Sequence, residues 1–105
     1  MAGEIVLVIS TVPRDASERI AAALVEEHLV ACVNAAAVTS RFFWKGACCM
    51  EEEDLLIMKT RKDLARKVMA RLAAIHPYDV PEILVLPVLA GHEPYLEWVR
   101  GETLP

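Results

Sequence analysis

The sequence predicts an α+β fold in which helices cover one face of an antiparallel sheet. Apolar and β-branched runs typical of strands alternate with two segments whose apolar residues recur every three to four positions, as on one face of a helix. The elements follow the order strand, helix, strand, strand, helix, strand, with a short helix at the end. A chain of 105 residues has the size of one domain, so we expect a single domain over residues 1–105.

The first strand and helix are predicted from residues 4–29. Residues 4–11 form an apolar run with almost no alternation, which indicates a strand buried on both faces, and Pro13 ends it. Asp15, followed three residues later by Glu18, has the spacing of an N-cap and capping box. This capping pattern predicts a helix that begins near Asp15 and runs to about Leu29.

Two long strands are predicted next, over residues 30–44 and 47–60. Lys45 and Gly46 separate them, and glycine accepts the positive φ that a tight hairpin needs. Four consecutive acidic residues occupy positions 51–54. We expect this acidic part at an exposed sheet edge, where charge discourages unwanted pairing.

The clearest helix is predicted over residues 62–75, with Leu64, Val68, Leu72 and Ile75 on one face. Residues 83–88 form a fourth strand, in which Pro87 indicates a sheet edge or a bulge. Pro94 opens a short C-terminal helix that Gly101 ends. This order is the ferredoxin-like βαββαβ arrangement with a C-terminal helix.

The composition predicts an oligomer. Hydrophobic residues make up 55% of the chain, and its mean hydropathy is +0.35. A domain of this size leaves about a third or more of its surface exposed, and no apolar run reaches the ~20 residues of a membrane span. We therefore expect an obligate homo-oligomer that uses the sheet face without helices, and no membrane partner.

Charge and cysteine usage indicate the compartment and the partners. The net charge of −4 and pI near 5.3 argue against nucleic acid or an anionic membrane as partner. Three cysteines, two of them adjacent, do not make a disulfide framework. Glu4 stands where a secretory signal would carry Lys or Arg, so we expect a cytoplasmic protein.

The segment 75–82 concentrates the chemically versatile side chains. Its two prolines make it stiff and extended, and it carries His76, Tyr78, Asp79 and Glu82. The imidazole could bind a metal or transfer protons, but one histidine beside carboxylates gives few ligands for a closed metal site. A helix-to-strand connector with solvated polar groups explains the same pattern.

Cysteines and enzyme motifs give weaker signals. Cys32 is read either as a small buried hydrophobe or as a ligand. Cys48 and Cys49 are neighbours on a strand and point to opposite faces, which disfavours chelation of one ion by the pair. The nucleophile-elbow, zincin, P-loop and dinucleotide motifs are absent. We therefore expect no enzyme, and rank last a reaction with His76 as general base beside Tyr78.

Short motifs along nearly the whole chain resemble the CutA family of divalent-cation tolerance proteins. They are Thr11-x-Pro13, Ala31-Cys32-Val33-Asn34, Ser40 with Trp44-x-Gly46, Lys59-Thr60, His76-Pro77-Tyr78-x-x-Pro81-Glu82 and Tyr95-x-x-Trp98. The resemblance implies a ferredoxin-like subunit in a tight homotrimer similar to the PII signalling proteins. It implies a role in tolerance of copper and other divalent metals, without enzymatic activity.

The resemblance also implies a ligand-binding cluster at clefts between subunits. Its members are Cys32, Trp44, Lys59, His76, Tyr78 and Glu82. We expect His76, Glu82 and Cys32 to bind a divalent cation, copper or zinc, that folding does not require, with affinity falling below about pH 6.5 as imidazole protonates. Lys59 suits a small anionic ligand better. The alternative is a PII-like signalling or adaptor trimer that binds such an anion, or a partner protein through the hairpin at residues 44–50.

The chain departs from the family pattern at several positions. Ser10 and Ile75 stand where some metal-binding members have a cysteine and a second histidine, so only His76 of that copper set is present. Three alanines at positions 35–37 replace a Pro-Gly bulge, and Phe42 replaces a common tyrosine. The stretch 47–50, with two cysteines, replaces a segment that is usually charged.

Overall fold

A computed structural model describes residues 4–104, and it has the predicted α+β architecture. The elements are β1 (Ile5–Pro13), α1 (Arg14–Glu26), β2 (Cys32–Trp44), β3 (Ala47–Arg61), α2 (Ala65–Ile75), β4 (Leu84–Pro87) and α3 (Glu93–Glu102), with a 3-10 turn at Lys62–Leu64 before α2. The four strands form one antiparallel sheet in the order β2-β3-β1-β4. Residues 1–3, on which part of the targeting expectation rests, lie outside the described residues.

One face of the sheet packs against α1 and α2. Val8 of β1 and its partner Met58 of β3 lie in the same buried cluster as Ile20 of α1 and Leu72 of α2. Burial alternates along β1, because successive side chains of a strand point to opposite faces. Within one chain the predicted burial of β1 on both faces is therefore wrong.

The opposite face, called the open face below, is largely apolar. It carries Leu7, Ile9, Leu55, Ile57, Leu84 and Leu86 from three neighbouring strands. Leu84 is 55% exposed and Leu86 is 38% exposed. The terminal helix α3 contacts β1 and β3, yet much of this apolar surface stays accessible in the single chain.

The hairpin of β2 and β3 is long and turns where predicted. Lys45 has φ +50° and Gly46 has φ +80°, the pair of positive values typical of a two-residue hairpin turn. β3 pairs with β2 along its length and with β1 as far as the Pro13–Glu53 pair. Glu53 and Asp54 therefore lie between two strands, and for them the prediction of an exposed edge is wrong. Glu51 and Glu52 pair with β2 alone among the described residues and are exposed, as predicted.

Proline decides several boundaries. Pro13 is the N-cap of α1, so Asp15 lies inside the first turn, and the predicted Asp15 and Glu18 capping box is wrong. Within the described strands β4 pairs only with β1, and it ends at Pro87, which confirms its edge position. Pro94 lies in the first turn of α3, as predicted, but Gly101 belongs to that helix and does not end it.

Candidate functional site

The His76 imidazole occupies the edge of β1 beyond the end of β4. β4 pairs with β1 only from Val6 to Ile9. His76 leaves the helical region with φ −76° and ψ 135° because Pro77 follows it. Its Nε2 then lies 2.9 Å from the carbonyl oxygen of Thr11. The side chain is 8% exposed, so it links the end of α2 to the sheet.

Both ring nitrogens of His76 are engaged within the chain. The backbone N–H of Tyr78 donates to Nδ1 at 3.1 Å. A carbonyl oxygen only accepts, so Nε2 carries the proton and Nδ1 carries the lone pair. The neutral imidazole therefore satisfies both partners at once, and a metal ion would have to displace one of them.

Tyr78 connects the 76–82 segment to the sheet through Glu53. Its hydroxyl donates to Oε2 of Glu53 at 2.6 Å, and its ring lies 4.9 Å from the His76 ring at an interplanar angle of 50°. Burial raises the pKa of Tyr78, and the hydrogen bond and negative charge of Glu53 raise it further. The phenol therefore stays protonated and acts as a donor.

An open groove of about 910 Å³ lies between this segment and the hairpin. Its walls come from the ends of β1 and β2, the first half of β3 and residues 77–82. The lining residues are Thr11, Pro13, Ser40, Arg41, Phe42, Trp44, Cys49, Glu51, Glu52, Glu53, Pro77, Tyr78, Asp79, Val80 and Glu82. Five carboxylates against one guanidinium make the groove strongly acidic.

The groove brings together three members of the predicted ligand-binding cluster. Trp44, Tyr78 and Glu82 line it. His76 stands behind Tyr78 and positions it, without lining the groove.

Cys32 and Lys59 form a separate group on the open face. The Lys59 ammonium donates to Oδ1 of Asn34 and lies 3.8 Å from the Cys32 sulfur. Burial, followed by contact with Cys32, raises the pKa of Tyr95, whose ring lies 5.7 Å from that of Trp98. This group is built from the start of β2, the end of β3 and α3.

The strand register separates this group from His76. Lys59 pairs with Leu7 of β1, whereas His76 bonds Thr11, four residues further along the same strand. Four residues of a strand span about 13 Å. Among residues 4–104 no group of three or more His, Cys, Asp and Glu side chains could hold a metal ion. Within one chain, the predicted metal ligands His76, Glu82 and Cys32 thus do not form one set.

The remaining cysteines agree with the strand geometry. Cys48 pairs with Phe43 and Cys49 with Phe42, so their side chains lie on opposite faces of the hairpin. All three cysteines are free thiols. Cys49 lines the groove, whereas Cys48 is exposed outside it.

Glu53 is a site residue that the sequence patterns did not predict. It is 3% exposed, although it belongs to a run of four acids that was expected to be solvated. The alternation of the strand could have predicted its position. Glu53, Leu55 and Ile57 stand at every second position of β3, so their side chains lie on the same face of the sheet, the open face. Phe42 was noted only as a departure from a family pattern, and it lines the groove.

Comparisons with known proteins agree on one family. Residues 6–102 match the family described as CutA1 divalent ion tolerance protein. The divalent-cation tolerance protein CutA of Thermus thermophilus is 45% identical over 102 residues, covering 95% of this chain and 97% of that protein. The chain spans about half the length of the curated plant and vertebrate relatives that it matches.

Solved structures share the fold over nearly the full chain. The PII-like protein CutA of Nostoc has a TM-score of 0.91 and 39% identity, with 99% of this chain and 98% of that chain covered. The periplasmic divalent cation tolerance protein CutA of Archaeoglobus fulgidus also has a TM-score of 0.91, with 32% identity and coverages of 93% and 97%. No helix in the described part of the chain is long and apolar enough to cross a membrane.

Proposed function

The chain belongs to the CutA1 divalent ion tolerance family, and we propose that it acts as a cytoplasmic homotrimeric binding protein in the tolerance of divalent metal ions such as copper. The acidic groove lined by Trp44, Tyr78 and Glu82 carries this proposal. Its ligand is a divalent cation or a small molecule, held where subunits meet. No catalytic role is included, because His76 and Tyr78 bond to groups of the protein itself.

The apolar open face supports the oligomer. Large contiguous apolar surfaces on a small protein mark interaction sites, and this face exposes leucines of β4 beside half-buried residues of β1 and β3. A second and third copy of the same face would cover it. Sedimentation at micromolar concentration should give three times the 11.6 kDa chain mass, whereas a monomer would overturn the oligomer.

The metal proposal keeps His76, Glu82 and Cys32 as ligands that come from different subunits at an inter-subunit cleft next to the groove, where His76 gives up one of its two hydrogen bonds to bind the ion. Calorimetric titration of metal-stripped protein with Cu(II) and Zn(II) tests it. We expect saturable binding that Glu82→Gln and His76→Ala weaken, while His92→Ala, which removes an exposed imidazole beside α3, leaves binding unchanged. Absence of binding, or equal binding by all variants, would contradict the metal site.

A second candidate is a PII-like adaptor that contacts a partner protein through the hairpin tip. Its support is the exposure of two large apolar side chains on one face of the hairpin: Phe43 is 77% exposed and Met50 is 55% exposed. Such surfaces are uncommon unless they bind something. A partner that co-purifies with the wild-type protein and is lost from a Phe43→Ser, Met50→Ser variant of unchanged oligomeric state would favour this candidate.

A further inference from the structure

Glu53 is a buried carboxylate without a cationic partner in the described part of the chain. It is 3% exposed, and its one hydrogen bond comes from the neutral hydroxyl of Tyr78 to Oε2. The Arg14 guanidinium lies 3.6 Å from Glu52 and 3.7 Å from Asp54, the residues on either side of Glu53. Buried carboxylates are rarely left unpaired in proteins, because removing a charge from water is costly.

This carboxylate belongs to the lining of the groove. Oε1 has no hydrogen-bond partner among residues 4–104, whereas Oε2 is held by Tyr78. The Tyr78 bond also fixes the carboxylate against the 76–82 segment. One carboxylate oxygen that accepts no hydrogen bond from the described residues is therefore kept in place at the wall of the groove.

Aromatic rings line the same groove. In the single chain Phe42 is 40% exposed, Trp44 is 44% exposed and Tyr78 is 37% exposed, so part of each ring faces the groove. Aromatic faces attract organic cations and also pack against their carbon atoms. The combination of a fixed carboxylate and aromatic walls suits a ligand with a charged nitrogen and an alkyl body.

Other ligand classes fit this groove less well. A bare divalent ion requires several converging ligands, and within one chain no three His, Cys, Asp and Glu side chains among the described residues are placed to hold one, so the metal proposed above depends on ligands from more than one subunit. A small anion would face five carboxylates and the single guanidinium of Arg41, which already donates to the sulfur of Met50 at 3.3 Å. Lys59, the residue suited to an anion, is not part of the groove.

We propose that the groove binds a small alkylammonium compound, with an N–H donated to Oε1 of Glu53 and the alkyl chain packed between Tyr78 and the aromatic side chains of the hairpin. This inference rests on the ligand site proposed above and names the chemical class of its ligand. An ammonium with N–H groups is required, because the carboxylate oxygen needs a donor as well as a charge.

Titration of the full-length protein with 1,4-diaminobutane tests the inference. The neutral 1,4-butanediol and the dianion succinate have chains of the same length and serve as ligand controls. Fluorescence of Trp44 in a Trp98→Phe background reports occupancy of the groove, and calorimetry gives the affinity. We expect saturable binding of the diamine alone.

Glu53→Gln removes the negative charge of the side chain but keeps its shape, and the amide oxygen can still accept the hydrogen bond from the Tyr78 hydroxyl. We expect it to weaken diamine binding by about tenfold or more, whereas Glu26→Gln, which removes an exposed charge of α1, changes it by less than about twofold. If Glu53→Gln does not fold, Phe42→Leu provides a second variant, and we expect it to weaken binding several-fold through loss of the ring.

Any of three outcomes would overturn the inference. They are equal diamine affinity of wild type and Glu53→Gln, equal binding of diamine and diol by the wild type, and no binding at millimolar diamine. None of these outcomes changes the result expected from the metal titration or from sedimentation, which test the proposed function separately. Loss of diamine binding is therefore distinguishable from failure of the homotrimeric metal-tolerance proposal.

Discussion

The Nε2–H of His76 donates to the carbonyl oxygen of Thr11 across 2.9 Å, where β1 continues beyond its last pair with β4. Nδ1 of the same ring accepts a hydrogen bond from the backbone N–H of Tyr78. Through Tyr78 the contact extends to Glu53 on β3. His76 thus holds one wall of the groove in place by positioning its neighbour.

Replacing His76 with alanine should destabilise the fold. The change removes the partners of the Thr11 carbonyl and of the Tyr78 N–H, and each buried group left without a partner costs about 1–3 kcal/mol. Urea unfolding at one fixed protein concentration measures the loss. His92→Ala is the control, and equal free energies of unfolding for both variants would show that the two bonds contribute nothing.

Stability should decrease in alkaline solution because the pKa of Tyr78 is raised in the folded state. An unfolded tyrosine ionises near pH 10. Above that pH the unfolded chain releases a proton that the folded Tyr78 retains, so its contribution is complete below about pH 10 and is lost as the pH rises further.

Thermal unfolding between pH 8 and 11 checks this decrease in the wild type and in Tyr78→Phe. Tyr78→Phe should lose less stability over this range than the wild type. Some loss should remain in the variant, because the pKa of Tyr95 is also raised. If the unfolding temperatures of the two proteins fell equally with pH, the alkaline loss of stability could not be assigned to Tyr78.

Ser10→Ala should leave stability unchanged or increase it by about 1 kcal/mol. The Ser10 hydroxyl is fully buried and has no hydrogen-bond partner among residues 4–104, so its desolvation is uncompensated. Denaturant midpoints of Ser10→Ala and of Ser17→Ala, at a buried serine of α1, give the comparison. A clear loss at Ser10 would mean that its hydroxyl has a favourable interaction in solution.

The hairpin turn can be improved at Lys45. Lys45 adopts φ +50°, which asparagine tolerates better than lysine, and Asn-Gly is the preferred pair for such a turn. Lys45→Asn should stabilise the protein by a few tenths of a kcal/mol, whereas Gly46→Ala at φ +80° should cost about 1 kcal/mol. Chemical unfolding of both variants checks the opposite signs.

Leu84→Glu should dissociate the proposed trimer. Leu84 lies on the open face and is 55% exposed in the single chain, so a charge there is tolerated by the subunit but not by an apolar interface. Sedimentation should shift to the mass of one chain. Leu89→Glu is the matched control, since Leu89 is 97% exposed and lies after β4, and an unchanged trimer in Leu84→Glu would exclude this part of the face from the interface.

Much of the fold follows from local sequence signals. The order of strands and helices, the turn at Lys45 and Gly46, and the edge position of β4 were all predicted correctly. Periodicity fixes which faces are apolar, and proline and glycine restrict φ without reference to the rest of the chain. These are properties of a few adjacent residues, so a single sequence reveals them.

The arrangement of the site was decided by contacts between distant parts of the chain. Glu53 is buried because β3 lies between β2 and β1 and because Tyr78 folds over it, 25 residues further along the chain. Cys32 and Trp44 occupy one strand, yet the register places Cys32 beside Lys59 and Trp44 at the turn beside the groove. Local patterns identified the candidate residues, but strand order and register, which arise from non-local pairing, determined which of them meet.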